Sequence, residues 1–217
     1  MIKNYIDIYD EKVKNPIGKV FNGGYLTLDF NTIRIDSPRL NLGSMVVIAS
    51  ENILIVGIVK NHEIRIYYPE KIPSKVPMGW KAYKEQYPDI ENIMAVFYSA
   101  VSIGYFDGTN FVQGTPYKAP MIHDLVFEPD IDFIRDFHKD LQMEYMPLIY
   151  SSLNMNGVDF IQLAFNLYKW LDSSKYFNKN ELKELYKSSL RSLATYGFID
   201  IIPQYIKFIG SLFREWT

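Results

Sequence analysis

Short apolar runs fill residues 16–61, and this feature limits that part of the chain to a small antiparallel sheet. Each run is rich in β-branched residues and is closed by Gly, Asn, Ser or Pro, a pattern typical of successive short strands. Asn22, Gly23 and Gly24 follow the first run and suit a tight hairpin, because Gly and Asn tolerate positive φ. We therefore expect a small barrel or a curled sheet, with strands at 17–21, 25–30, 33–35, 45–49 and 53–59.

The apolar segments that follow extend the β region. A strand is expected at 64–68, and prolines at 69, 73, 77 and 88 then exclude a long helix, so we expect an irregular excursion over 69–88. The segment 90–104 is apolar throughout and fits either a strand pair or a buried helix. Asp107 and Gly108 are a strong hairpin signal, and they predict strands at 102–106 and 110–113.

Three motifs in this region carry a resemblance to a known family. The segments IGKV at 17–20, LGSMVV at 42–47 and VGIV at 56–59 resemble, in order and spacing, the HAS barrel. This is the N-terminal β-barrel of HerA-type DNA translocases and of rotary ATP synthase subunits. The segment GTPYKAPM at 114–121 is similar to the proline-rich strand that ends that barrel. The resemblance covers roughly residues 16–137.

The resemblance implies a role in assembly and no motor activity. In the translocases the barrel leads into a RecA-like ATPase, which requires a phosphate-binding G-x-x-x-x-G-K-[ST] loop. The sequence has no such loop, and its Gly18-Lys19 pair is followed by Val20 within a predicted strand. What remains implied is a module of archaeal DNA-processing machinery, with an ATPase of the HerA type or a nuclease of the NurA type as its partner.

Helical periodicity replaces the strand pattern after Pro129. Asp130 is placed as the N-cap of a first helix, which is expected to end before Pro147. The segment 158–171 is apolar on almost every side and predicts a second helix buried among others.

Two further helical segments complete the chain. Asn178 and Glu181 form a capping box for a helix over 179–196, and Gly197 is a natural C-terminal stop. An apolar segment follows at 198–216 and contains Pro203, which either starts or breaks its helix.

The predicted fold class is therefore α+β, with a small antiparallel β-barrel followed by a bundle of three to four helices. We place a domain boundary near residue 128, which divides the chain into a HAS-like barrel domain at 1–128 and a helical domain at 129–217.

Composition places few further limits on function. The 217 residues include 48% hydrophobic ones and give a formal net charge of −2, which is ordinary for a globular protein with a sizeable core. The absence of cysteine excludes disulfides, thiolate nucleophiles and zinc–cysteine sites. Residues 1–14 do not resemble a signal peptide, and no run of eighteen apolar residues occurs. We expect a cytoplasmic protein without membrane association.

The sequence offers little catalytic chemistry. His62, His123 and His138 lack the spacing of metal ligands, so each is interpreted as a structural or surface residue. A candidate magnesium site is the carboxylate series Asp132, Asp136 and Asp140, four residues apart, which would suit a metal-dependent nuclease. The alternative is that these residues form the solvated face of an amphipathic helix. We predict no catalytic residue, no metal, no cofactor and no enzymatic activity.

The favoured function is a non-catalytic protein-interaction module. Its candidate surface comprises the loops at 22–24, 38–41 and 69–80, and the residues named for it are Asn22, Gly23, Gly24, Arg39, Lys71, Lys75 and Trp80. An alternative is direct nucleic-acid binding by the segment 60–84, where basic residues outnumber acidic ones and aromatic residues lie among them. Solvated charges and loop packing are the simpler explanation of that segment.

The last apolar segment raises the question of oligomerisation. Its large residues are more numerous than one short amphipathic helix needs, and they either form a dimer interface or close the chain's own bundle. These residues are Ile206, Ile209, Leu212, Phe213 and Trp216. A homodimer is the oligomer that we favour, with Phe213 and Trp216 as its named contacts.

Overall fold

The computed structural model describes residues 4–10, 13–32, 40–66, 81, 85, 94–152 and 157–214. A short helix α1 (Tyr5–Ile8) precedes an antiparallel sheet, and five α-helices follow the sheet within the described part of the chain. The strands are β1 (Gly18–Gly23), β2 (Thr27–Thr32), β3 (Met45–Ser50), β4 (Ile53–Ile66), β5 (Met94–Phe106), β6 (Phe111–Gln113) and β7 (Leu125–Phe127). The later helices are α2 (Ile131–Phe137), α3 (Met146–Ser152), α4 (Gly157–Ser173), α5 (Lys179–Thr195) and α6 (Ile202–Arg214).

Six of these strands close into a barrel, which confirms the predicted α+β fold. The strand order is β2-β1-β7-β3-β4-β5, and β2 also pairs with β5 from Thr27↔Val101 to Asn31↔Phe97. Strand β6 pairs with β5 and lies outside this ring. Closure removes the free edges that these six strands would expose in an open sheet.

The strand that completes the barrel is not the predicted one. Residues 114–121 were expected to form it, but they belong to a loop, and β7 at Leu125–Phe127 takes the place between β1 and β3. A strand paired on both sides must donate amides to two neighbours, and proline has no amide to donate. Pro116 and Pro120 therefore suit the loop better than the strand. The other predicted strand at 33–35 and the excursion at 69–88 lie outside the described residues.

Strand β3 and residues 53–59 of β4 are buried on both faces. In β3, Val46 and Ile48 face the barrel interior, whereas Met45 and Val47 face the helices. All four side chains are fully buried. Two-sided burial explains why these strands read as continuous apolar runs instead of alternating ones. In β2, by contrast, Leu28 and Phe30 are buried, whereas Thr27 is exposed and Asp29 and Asn31 are partly exposed, so only one face of this strand is fully buried.

The barrel and the helices share one hydrophobic cluster, and glycines allow their close approach. Gly43 has φ +86°, and a Cβ there would lie 2.5 Å from the Leu167 nitrogen of α4. A Cβ at Gly104 of β5 would lie 2.6 Å from the ring of Phe137 in α2. The cluster runs across residue 128, from Phe127 to Phe133 and beyond. The division into domains at that residue stays a prediction.

The helical region contains more helices than the three to four expected. The first helix ends at Phe137, which is before Pro147 as expected, and Asp140 and Leu141 beyond it have φ of +59° and +55°. Left-handed residues interrupt a helix. Asp130 occupies the predicted N-cap position, but its carboxylate accepts from Lys14 Nζ at 2.7 Å and makes no cap hydrogen bond.

The later helices follow the sequence signals closely. The Asn178–Glu181 capping box is present in both directions at the start of α5. Gly197, with φ +80°, follows its end. Pro203 lies in the first turn of α6, where its missing amide is tolerated. None of the helices described is both long and apolar enough to cross a membrane.

Candidate functional site

The interaction loop predicted at 22–24 lies at one end of the barrel. The β1–β2 hairpin holds Asn22, Gly23 and Gly24 at one end, beside the β3–β4 turn. At the opposite end, β2 ends at Thr32 and β3 begins at Met45. Within 38–41, Leu40 is buried in the barrel core, and its amide donates to the Tyr98 hydroxyl. Leu40 therefore does not contribute to an exposed interaction surface, and the predicted loop at 69–80 lies outside the described residues.

The hairpin at the first end is held in place by polar and steric contacts. Asn22 Nδ2 donates to Asp29 Oδ2 at 2.9 Å, and the Gly24 amide donates to the Thr27 carbonyl at 2.9 Å. A Cβ at Gly23 would lie 2.1 Å from the Pro120 carbonyl oxygen, so only glycine fits there. Residues 22–24 thus have a structural role that positions the hairpin against its neighbouring loop.

That neighbouring loop, residues 114–124, crosses the end of the barrel from β6 to β7. Its Tyr117 ring packs edge-on against Tyr105 at 5.2 Å, and Lys118 forms an ion pair with Glu51 of the β3–β4 turn. The His123 amide donates to the Val20 carbonyl at 2.8 Å, which ties the loop to β1. The loop therefore joins three parts of the barrel end into one surface.

Five exposed apolar side chains lie at this end of the barrel, and we call them the rim surface. They are Tyr25, Leu26, Tyr117, Met121 and Ile122, and their exposed fractions range from 39% to 61%. Charges in the same loops are largely occupied, since Lys118 pairs with Glu51 and Asp124 accepts from the Met121 amide at 2.7 Å. The rim surface is therefore apolar and close to neutral. Sequence reasoning missed it, although an apolar Met121-Ile122 pair in a proline-containing loop was visible.

Of the six other named residues, Phe213 is buried and five lie outside the described part of the chain. The five residues outside the described part are Arg39, Lys71, Lys75, Trp80 and Trp216. Most of the basic segment 60–84 also lies outside it. Phe213 is only 7% exposed, and its ring lies 5.0 Å from Tyr186 and 5.7 Å from Tyr168.

The neighbours of Phe213 on α6 support the core interpretation of the last segment. Ile209 and Leu212 are also buried, whereas Ile206 is 47% exposed. These contacts fit the interpretation in which the segment closes the chain's own bundle. The homodimer stays a prediction.

A separate, concave region lies between β6 and α2 and has a volume of about 840 Å³. We call it the polar groove. Phe106, Phe111 and Phe137 line it together with Tyr5, whose hydroxyl donates to Asp136 Oδ2. Burial and that carboxylate both raise the pKa of Tyr5. The tyrosine therefore stays protonated and acts as a donor.

Gln113 fixes one end of the polar groove. Its Nε2 donates to the Phe137 carbonyl at 2.9 Å and to the Gln142 carbonyl at 3.0 Å, and its Oε1 accepts from the Glu144 amide at 2.7 Å. This side chain holds β6 to the turn that ends α2.

The three carboxylates predicted as a magnesium site all line the polar groove, but they do not form a metal centre. Asp132 and Asp136 lie on α2, whereas Asp140 lies beyond its end in a left-handed turn. The regular spacing along one helix is therefore lost. Among the described residues, no group of three or more His, Asp or Glu side chains is arranged to hold a metal ion.

His138 is a buried structural residue, as expected for an isolated histidine. Its Nδ1–H donates to the Ile134 carbonyl at 2.9 Å, and its Nε2 accepts from the Tyr145 hydroxyl at 2.8 Å. Because a carbonyl can only accept, the Nδ1–H tautomer follows from the partners. Burial lowers the pKa of His138 to about 4. The hydrogen bond to the Ile134 carbonyl raises this pKa, but by less than burial lowers it. His62 and His123 are exposed.

Comparison with known proteins adds no family. The chain matches no protein-family model, and no curated protein is significantly similar to it.

Proposed function

We propose that this protein is a non-catalytic assembly module and that its rim surface binds a protein partner. The observation that supports the proposal is the grouping of Tyr25, Leu26, Tyr117, Met121 and Ile122 at one end of the barrel. Contiguous exposed apolar side chains are unfavourable in water, and on soluble proteins they commonly mark interaction sites. Aromatic residues and methionine are also enriched at protein interfaces.

The proposed class of partner comes from the resemblance to the HAS barrel. In HerA-type translocases this barrel helps to form a ring and receives the NurA-type nuclease. We therefore propose that the barrel is of the HAS type and that its partner is a DNA-processing ATPase or nuclease. A closed barrel of six strands is compatible with that type, as are the glycines of the three motifs. Gly18 lies against the Asn31 carbonyl, Gly43 has positive φ, and Gly57 adjoins a β-bulge.

The low charge of the rim surface favours a protein over a nucleic acid at this site. A protein that binds a phosphate backbone places several unpaired Lys or Arg side chains along its surface. In the described loops at this end, Lys118 is engaged by Glu51. Burial of apolar area, which is largely independent of salt, would instead supply the binding energy.

The experiment is a binding assay with a matched pair of variants. The full chain is tested against the purified HerA-type ATPase and NurA-type nuclease of the source organism. The double variant Tyr25→Glu, Ile122→Glu introduces charge at two exposed rim positions, and we expect it to weaken binding by about tenfold or more. Val158→Glu is the control, because Val158 is 68% exposed at the start of α4, where a carboxylate favours the helix.

Three results would reject the proposal: no binding of either protein by the unaltered chain, equal loss in the control, or unaltered binding by the double variant. Gel shifts with single-stranded and duplex DNA are run in parallel. DNA binding that falls steeply with salt and that requires Lys71, Lys75 and Trp80 would support the nucleic-acid alternative instead.

A further inference from the structure

Among the described residues, strand β6 is paired on one side only, by β5, and this pairing shows which of its backbone groups point outward. The Asp107 amide donates to the Asn110 carbonyl at 3.1 Å, and the Gly114 amide donates to the Ile103 carbonyl at 2.9 Å, so both residue pairs are hydrogen-bonded pairs of the ladder. Hydrogen-bonded pairs alternate along an antiparallel ladder, so the next such pair is Tyr105 with Val112. Phe111 and Gln113 therefore direct their backbone N–H and C=O groups away from β5.

These outward groups lie beside the polar groove, because Phe111 and Gln113 both line it. In the part of the chain that the structure describes, no strand other than β5 pairs with β6. A free strand edge can accept a further strand, which is how many domains bind extended peptides. The edge gives backbone recognition, but it does not by itself select a sequence.

The opposite wall of the groove supplies a charge preference. Four carboxylates and two cationic side chains line this wall. The carboxylates are those of Asp132, Asp136, Asp140 and Glu144, and the cations are Arg135 and Lys139. Arg135 is already engaged, since its guanidinium donates to Glu181 Oε1 and to the Tyr176 carbonyl, both at 2.8 Å. The wall that faces the edge of β6 is therefore acidic, and its complement is a cationic side chain.

We propose that the polar groove binds an extended, lysine- or arginine-containing segment of a partner protein, which adds to β6 as a strand. Its backbone pairs with Phe111 and Gln113, and its basic side chains reach the carboxylates of the wall. The aliphatic stems of those side chains pack on the aromatic rings that line the groove, as long cationic side chains commonly do. This site uses residues different from those of the rim surface, and it does not depend on the function proposed for that surface.

The test uses the full chain and a short fluorescent peptide of alternating lysine and valine, with binding followed by anisotropy. Two further peptides carry backbone N-methyl groups, one at the lysines and one at the valines. A strand pairs through the N–H groups of alternate residues, so one methylated peptide should lose affinity by about tenfold or more while the other keeps it. A matching glutamate–valine peptide tests the charge preference.

A protein variant tests the acidic wall separately. Asp132→Asn with Asp140→Asn removes two carboxylates, and asparagine tolerates the left-handed backbone of residue 140. We expect about tenfold weaker binding of the lysine peptide and a smaller salt dependence. A peptide with glutamine in place of lysine should bind the variant and the unaltered chain equally.

Several results would overturn the proposal. With the unaltered chain, these are no binding of the lysine peptide, equal affinity for the lysine and glutamate peptides, or equal loss of affinity for the two N-methylated peptides. With the double variant, the contradicting result is an unchanged affinity for the lysine peptide. Because the assay contains no ATPase or nuclease, its failure leaves the proposal for the rim surface unaffected.

Discussion

The burial of His138 should make the folding stability of this protein depend on pH near neutrality. The imidazole is 1% exposed, between Tyr145 on one nitrogen and the Ile134 carbonyl on the other. Protonation would place a charge in this apolar site and would turn Nε2 from an acceptor into a donor facing a hydroxyl. The folded state therefore resists protonation, and the pKa falls to about 4.

The sign and size of the effect follow from linkage. The unfolded chain has a histidine pKa of about 6.5, so between that value and the folded pKa the unfolded state binds more protons. The stabilisation is complete above the unfolded pKa, and it is lost as the pH falls towards the folded pKa. Between pH 8 and pH 5 the loss from His138 is about 2 kcal/mol in the free energy of unfolding.

The assay is urea denaturation at pH 8, 7, 6 and 5. This range stays above the titration of Asp107 and Glu181, whose pKa values are lowered by hydrogen bonds to backbone amides and by Arg135 respectively. His138→Gln cannot titrate, so its stability should change by about 2 kcal/mol less over the range. His62→Gln, at an exposed position, serves as the control and should keep the full dependence. If the unaltered chain and His138→Gln change equally, the reasoning about His138 is wrong.

Two further predictions concern packing. Gly104→Ala should destabilise the protein by about 1–3 kcal/mol, because its Cβ would meet the Val112 carbonyl at 2.4 Å and the Phe137 ring at 2.6 Å. Gly57→Ala is the matched control, since its nearest neighbours are side chains at 3.3 Å and beyond, and equal losses in urea denaturation would contradict the contact argument. Phe213→Ala should cost about 3–5 kcal/mol, as expected for a buried phenylalanine. Phe208→Ala on the same helix, 52% exposed, should cost less than about 1 kcal/mol, and a similar loss in both would argue against Phe213 as a core residue.

Local signals in the sequence were enough to predict much of the secondary structure. The capping box at Asn178 and Glu181 and the glycine stop at Gly197 depend on residues within one or two turns of each other. The Asp107-Gly108 hairpin likewise needs only its own backbone conformation. Such features are decided by nearby residues, so their pattern is visible before the chain is folded.

The closure of the barrel and the candidate surfaces were decided by contacts between distant residues. Strand β7 has three residues, too few for a periodic pattern, and it exists because β1 and β3 pair with it from both sides. The rim surface unites a hairpin and a loop about a hundred residues apart in sequence, and the polar groove unites β6 with the turn after α2. Nothing local in the sequence records which elements become neighbours, because that choice minimises exposed apolar area over the whole chain. The sequence by itself therefore determined most of the longer elements of this protein, whereas the tertiary structure determined β7 and which side chains of distant elements lie together.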